Sequence, residues 1–205
     1  MNTPKYKLLV LTDLSNASNV ALENAVNLSK IIDGSIDVFH VLKPSDISDY
    51  ENQYSAMHFI DEERAHKKTQ LKTLARKISK KEGVLINTSC ILGKLKEETL
   101  KHIEAVKPDI VVLGKRSKKW VNFLGDSFTK FILDTFEGSV LISGKEKVLQ
   151  PSEIVSLGMF NTTTDELPVG ITRDLRKYSK NPIKRFFIRN EKEQIMRKAT
   201  ARNVI

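Results

Sequence analysis

Apolar positions in this chain alternate between two rhythms. Compact apolar runs rich in strand formers occupy Lys7–Thr12, Ile36–Val41, Val84–Ile91, Asp109–Gly114 and Ser139–Ile142, each within the roughly four to eight residues typical of a strand. Between them the apolar residues recur at spacings of three and four. Ala21, Leu22, Ala25, Leu28 and Ile32 share one helical face, and Leu71, Leu74, Ala75 and Ile78 do the same within the charged stretch Asp61–Lys81. Leu100, Ile103 and Val106 mark a third helix over Glu97–Val106, and a fourth is predicted over Ser127–Thr135. The punctuation agrees with this alternation. Asp13–Ser18 is a set of turn and cap residues, Gly34 and Gly83 stand just past helix ends, and Pro44 and Pro108 close a strand and a helix. Residues 45–60 show no clean period and read as a loop or a frayed helix start.

Strands alternating with helices imply an α/β fold: an open, Rossmann-like, five-stranded parallel sheet with helices on both faces and right-handed crossovers. Asp109–Gly114 has no polar alternation, as expected of a strand covered on both sides. In such sheets ligands sit beyond the carboxyl ends of the strands, which singles out the loops after Thr12, Val41 and Gly114.

The chain past about residue 148 reads as a partial second copy of the opening βαβ unit. Glu153–Phe160 matches the first strand at an offset of 146, Asn161–Asp165 its capping turn, and Ile183–Ile188 the second strand at an offset of 147 after one inserted residue. Asp174–Tyr178 falls in the intervening helix, and residues 191–205 look like a short basic helix. The expected domains are 1–147 and a truncated, basic 148–205.

Charge sharpens that division. Between Arg173 and Arg202 stand eleven Lys or Arg against Asp174, Glu191 and Glu193, an excess of eight out of a net +9 for the whole chain. Attraction to an acidic protein or a nucleic acid is therefore expected of residues 173–202, where Phe186 and Phe187 lie among cations; Trp120 lies in a second basic run. The plainer alternative is a solvated basic tail. With 40% hydrophobic and 29% charged residues the chain should fold. No run reaches the roughly 20 apolar residues of a membrane span. A single cysteine, Cys90, excludes an internal disulfide and, with no signal-peptide pattern at the start, suits a cytoplasmic protein.

Three stretches together resemble the universal stress protein family over about residues 5–145. These are Leu8–Ser15 with Ala21–Ala25, the strand ending Val38–Val41 with its His-Val pair, and Asp109–Gly114 followed by Gly125 and Val140–Ile142. The resemblance implies a site for ATP or another adenine nucleotide, with Thr12 and Asp13 near the adenosine and backbone contacts from Val41 to the adenine. It also implies a phosphate loop of the form G-x2-G-x9-G-[ST] over Gly114, Arg116, Ser117, Gly125, Asp126 and Ser127, from which this chain departs. Ser117 replaces the second glycine, the next interval is seven residues instead of nine, and Asp126 follows Gly125. Loss of the glycine restricts close approach to phosphate, and a carboxylate at a helix start repels it. Lys115, Arg116, Lys118 and Lys119 offer charge in return. Two readings follow: a degenerate, weak nucleotide site, or a retained ATP switch. The resemblance further implies a homodimer, paired through Val140–Ile142 or, where the partial repeat takes that edge within the chain, through another surface.

Catalysis finds no support, since neither a G-x-S-x-G elbow nor a G-x4-G-K-[ST] loop is present. His40, His58, His66 and His102 lack paired ligand spacing, so no metal is expected. Equally, Asp13 can serve only as a cap for the first helix.

Overall fold

The computed structural model describes residues 3–43, 53–115, 126–144, 148–149, 158–160, 170–178 and 184–186 of the 205. Twelve elements follow in order: β1 (Tyr6–Leu11), α1 (Asn16–Ile32), β2 (Gly34–Leu42), α2 (Gln53–Glu82), β3 (Ile86–Leu92), α3 (Leu95–Val106), β4 (Ile110–Gly114), α4 (Asp126–Thr135), β5 (Ser139–Ser143), β6 (Gly158–Phe160), α5 (Ile171–Lys177) and β7 (Lys184–Phe186). The first five strands form one sheet in the order β3-β2-β1-β4-β5, parallel throughout. This is the predicted five-stranded parallel sheet, and its order reverses between β1 and β4.

Alternation along the strands sends side chains to two faces. Leu9, Leu11, Phe39, Val41, Val111 and Leu113 pack with Ile132 of α4, and with Leu95, Ile103, Phe128, Phe131 and Val140 around them. Leu8, Val10, Ile36, Val38, Ile110 and Val112 point the other way and are all buried, as are Ala21, Leu22, Ala25 and Val26 of α1 and Leu71 and Ala75 of α2. Small residues at Ala21 and Ala25 let α1 lie close to the sheet. The α1 face predicted from spacing is the buried one.

Two expectations need correction. α2 begins at Gln53, so the second half of the stretch 45–60, read as a loop or a frayed helix start, is regular helix. The residues from Gln53 to Ile60 contain neither Pro nor Gly and include Ala56 and Met57, so nothing stops a helix already stabilised by its packed half. The left-handed residue ending α1 is Asp33 (φ 59°), not Gly34, which opens β2. Gly34 sits close to β1: a Cβ there would lie 2.5 Å from the Leu8 side chain and displace its methyl. Lys107 (φ 50°) ends α3 in the same way.

The chain divides into two compact units, Met1–Pro151 and Ser152–Ile205. In the second, β6 and β7 run parallel with α5 between them in the chain, the order expected of a βαβ copy. The register departs from the alignment. Tyr6 pairs with Gly34, 28 residues on, whereas Gly158 pairs with Lys184, only 26 on. One inserted residue predicts 29. The crossover is shorter because α5 spans only seven residues and starts after Gly170, held at φ 100°. The basic helix expected over 191–205 lies outside the described residues.

Candidate functional site

β1 ends at Leu11, and the chain turns into α1 through a compact set of hydrogen bonds. The Thr12 hydroxyl donates to Ser18 Oγ at 3.0 Å and accepts from the Leu14 N–H at 3.0 Å. Asp13 Oδ1 accepts the Ser15 N–H at 3.1 Å, an Asx-turn. Ser15 is the N-cap, its hydroxyl accepting the Ser18 N–H at 3.4 Å, while Ser18 Oγ donates to Ser15 O at 2.8 Å. The turn forces Leu14 into the left-handed region (φ 62°), where a leucine is strained. Asp13 itself stays exposed at the tip of β1.

Beside this turn the ends of β1, β2 and β4 open into a cavity of about 350 Å³. Leu11, Thr12 and Asp13 line it from β1 and its turn, Phe39 to Leu42 from β2 with Lys43 just after it, and Leu113 and Gly114 from β4. The first turns of three helices also reach it, through Ser15 and Ser18 of α1, Leu95 and Thr99 of α3, and Phe128 and Thr129 of α4. Their N-terminal amides bias the cavity toward anions. Glu63 and Lys67 of α2 complete the wall.

Gly114 has a clear steric role here. A Cβ on it would lie 2.5 Å from the Ala17 carbonyl oxygen and 2.8 Å from its carbon, so glycine is what lets β4 abut the first turn of α1. His40, 7% exposed, donates from Nδ1 to the Thr12 carbonyl at 2.9 Å and so braces the β1 turn from β2. Its Nε2 is buried without a hydrogen-bond partner. Cys90 of β3 stands next to His40 in the register. Burial pushes its thiol pKa up, against the downward pull of Arg64, Lys68 and Lys67.

The profile of the universal stress protein family matches residues 6–143. The chain belongs to the universal stress protein family. Among solved structures, the universal stress protein UspA of Lactobacillus plantarum is similar at 20% identity, covering 69% of this chain and 99% of that one, with a TM-score of 0.56. A universal stress protein family protein of Burkholderia pseudomallei gives 16% identity, 69% and 98% coverage and a TM-score of 0.53. A family protein of Arabidopsis thaliana with AMP bound gives 19%, 69%, 92% and 0.48. No curated protein sequence matches the chain.

Of the residues that the family resemblance singles out, Thr12, Asp13, Val41 and Gly114 meet in the one cavity. Asp126 and Ser127 open α4, whose next two residues line it. Arg116, Ser117 and Gly125 lie outside the described residues. The Thr12 hydroxyl is engaged within the turn, with Ser18 Oγ and the Leu14 N–H. Lys43, Glu63, Lys67 and Thr99 were not anticipated. The signal for Glu63 and Lys67 was in reach, for they continue the Leu71–Ala75 line at steps of four. Among the described residues no group of His, Cys, Asp and Glu is placed to hold a metal ion, and no helix is long and apolar enough to cross a membrane. In the basic segment, Lys177 Nζ meets Asp174 Oδ1 at 2.9 Å.

Proposed function

We propose that this chain is a non-enzymatic stress-response protein that acts by association and binds an adenine nucleotide weakly at the carboxyl edge of its sheet. The observation that carries the reading is the cavity at the tips of β1, β2 and β4, where Asp13 and Val41 stand at the positions that the family resemblance assigns to adenosine. Its volume falls near the lower end of the range for small-molecule sites, roughly 300–1,000 Å³. Weak binding follows from the remodelled phosphate segment: Ser117 for glycine, a shortened interval, and Asp126 at the start of α4. Association has a surface as well, since β5 forms one edge of the sheet and leaves Ile142 44% exposed.

The test is calorimetric titration of the full chain with ATP, AMP and GTP, beside assay of nucleotide released on denaturation. Binding of adenine nucleotides with Kd above about 10 μM, weakened by Asp13→Ala and without turnover, is the expected result. Absence of binding at millimolar nucleotide overturns the ligand reading. Hydrolysis abolished by Asp13→Ala overturns the non-enzymatic one. For association, sedimentation of an Ile142→Asp variant should show a shift to monomer.

A further inference from the structure

The crossover helix α2 changes character along one line. Glu63, Lys67, Leu71 and Ala75 follow at steps of four and so lie on one face. Leu71 and Ala75 are buried at 1% and 4% exposure. Glu63 and Lys67 line the cavity. A crossover helix runs against the strands it connects, which puts its early turns beyond their carboxyl ends; consistently, its last residue Glu82 meets Lys30, at the end of α1, at 2.6 Å. The inward line is thus apolar where it covers the sheet and ionic where the sheet stops.

Lys43, immediately after β2, lines the same cavity. Lys67 Nζ stands 3.4 Å from Glu63 Oε1, a long contact between partly exposed groups. Charge-assisted pairs of full strength close to about 2.7–2.9 Å, so Lys67 can turn to a better anion at little cost. Arg64 and Lys68 flank it on α2 and add to the positive field that reaches Cys90. The start of α3, through Leu95 and Thr99, shares the cavity wall.

The geometry points to a phosphate subsite on the α2 side of the cavity, formed by Lys43 and Lys67, that holds the phosphate of a nucleotide in place of the degenerate segment after β4. Glu63 acts there as an internal competitor: it holds Lys67 until the phosphate arrives. The inference rests on the nucleotide reading above. The adenosine keeps its place beside Asp13 and Val41; only the phosphate turns toward α2, away from the segment after β4.

The test compares adenosine with AMP by calorimetric titration of the full chain. In the wild type AMP should bind more tightly than adenosine. Lys43→Ala and Lys67→Ala should each weaken AMP about tenfold and leave adenosine unchanged, with the double variant bringing AMP down to the adenosine level. Glu63→Gln should strengthen AMP binding a few-fold, a sign that misfolding does not produce, and Lys30→Ala at the far end of the sheet should leave it alone. Should the advantage of AMP survive in the double variant and vanish in Lys115→Ala/Arg116→Ala, the phosphate sits after β4 and the inference falls while the nucleotide reading stands. If the wild type binds neither adenosine nor AMP, both fall.

Discussion

The two ends of the central sheet are built differently. At the amino end three helices finish in left-handed residues, Asp33, Gly83 and Lys107, and the start of β1 is tied to the first of them. The Asp33 carbonyl accepts the N–H groups of Lys5 and Tyr6. Lys7 and Asp109 exchange bonds, the Lys7 N–H donating to Asp109 Oδ2 at 2.8 Å and the Asp109 N–H to Lys7 O at 2.9 Å. The Asp109 carbonyl then accepts from Ser139, linking β1, β4 and β5 at their starts. At the carboxyl end the bonds of the Thr12–Ser18 turn are mostly local, and a cavity remains between the strand tips. One end closes its own polar groups; the other holds them around a space for a ligand. Stability and function are thereby separable, and substitutions can test the separation.

The largest effect belongs to Phe39, a large core side chain that also lines the cavity. It is 1% exposed and stacks on His102 with ring centroids 4.0 Å apart and planes 6° from parallel. His102 Nε2 in turn meets Asp37 Oδ2 at 2.9 Å, so the ring holds a partly buried polar pair in place. Phe39→Ala should cost about 4 kcal/mol in urea denaturation and abolish ligand binding. A loss under about 1 kcal/mol would mean that the floor of the site is not part of the core.

Gly114→Ala comes next. The new Cβ meets the Ala17 carbonyl, which cannot move without shifting the first turn of α1, so a loss of about 2 kcal/mol is expected. Because that turn also carries Ser15 and Ser18, nucleotide affinity should fall with it. An unchanged urea midpoint would show that β4 and α1 are not in tight contact at this end.

How much of this was legible in the chain follows from the same contrast. The floor was readable because burial imposes a period: β1, β2 and β4, and the α1 face, all fall within two residues of expectation. Thr12, Asp13, Val41 and Gly114 could be brought together because strand order alone places the ends of β1, β2 and β4 side by side. Burial gives no such signal where the chain leaves the sheet. The stretch Gln53–Ile60 shows no clean apolar period, and Glu63 and Lys67, although they continue the Leu71–Ala75 line, read as part of a charged, solvent-facing helix because their own residue types carry no apolar signal. Asp33 and Lys107 could not be picked out as left-handed caps, since a charged residue in that role is chosen by the packing of the next strand. Sequence spacing also misjudged the β6–β7 register, which a shorter helix resets.

Cys90 gives a milder probe of the carboxyl half. Burial raises its thiol pKa, so at pH 8 it should react with a disulfide reagent more slowly than in the unfolded chain, and faster as pH rises. The neutral thiol is favoured below the unfolded pKa, and that preference is lost as pH climbs through the folded one. Lys67→Ala and Lys68→Ala should slow the reaction further, because both cations pull toward the thiolate. Equal rates in folded and unfolded protein would place Cys90 in water.

The smallest effect compares two strained residues at opposite ends. Lys107 (φ 50°) and Leu14 (φ 62°) are both left-handed without being glycine, a conformation that costs a side-chain-bearing residue roughly 1–2 kcal/mol. Lys107 is exposed and ends α3, with its N–H donating to the Ile103 carbonyl at 2.8 Å. Lys107→Gly relieves strain and removes no packing, so after the entropy cost of glycine it should gain about 0.5 kcal/mol and leave ligand binding untouched. Leu14 is partly buried, and its N–H is held by Thr12 Oγ1. Leu14→Gly relieves similar strain but loses side-chain contact and frees the turn that fixes Asp13, so stability should stay level while nucleotide affinity drops a few-fold. If both variants bind nucleotide like the wild type, the left-handed residue at β1 is only a cap, equivalent to the one at the end of α3. If Leu14→Gly alone weakens binding, strain at the open end holds the site in shape.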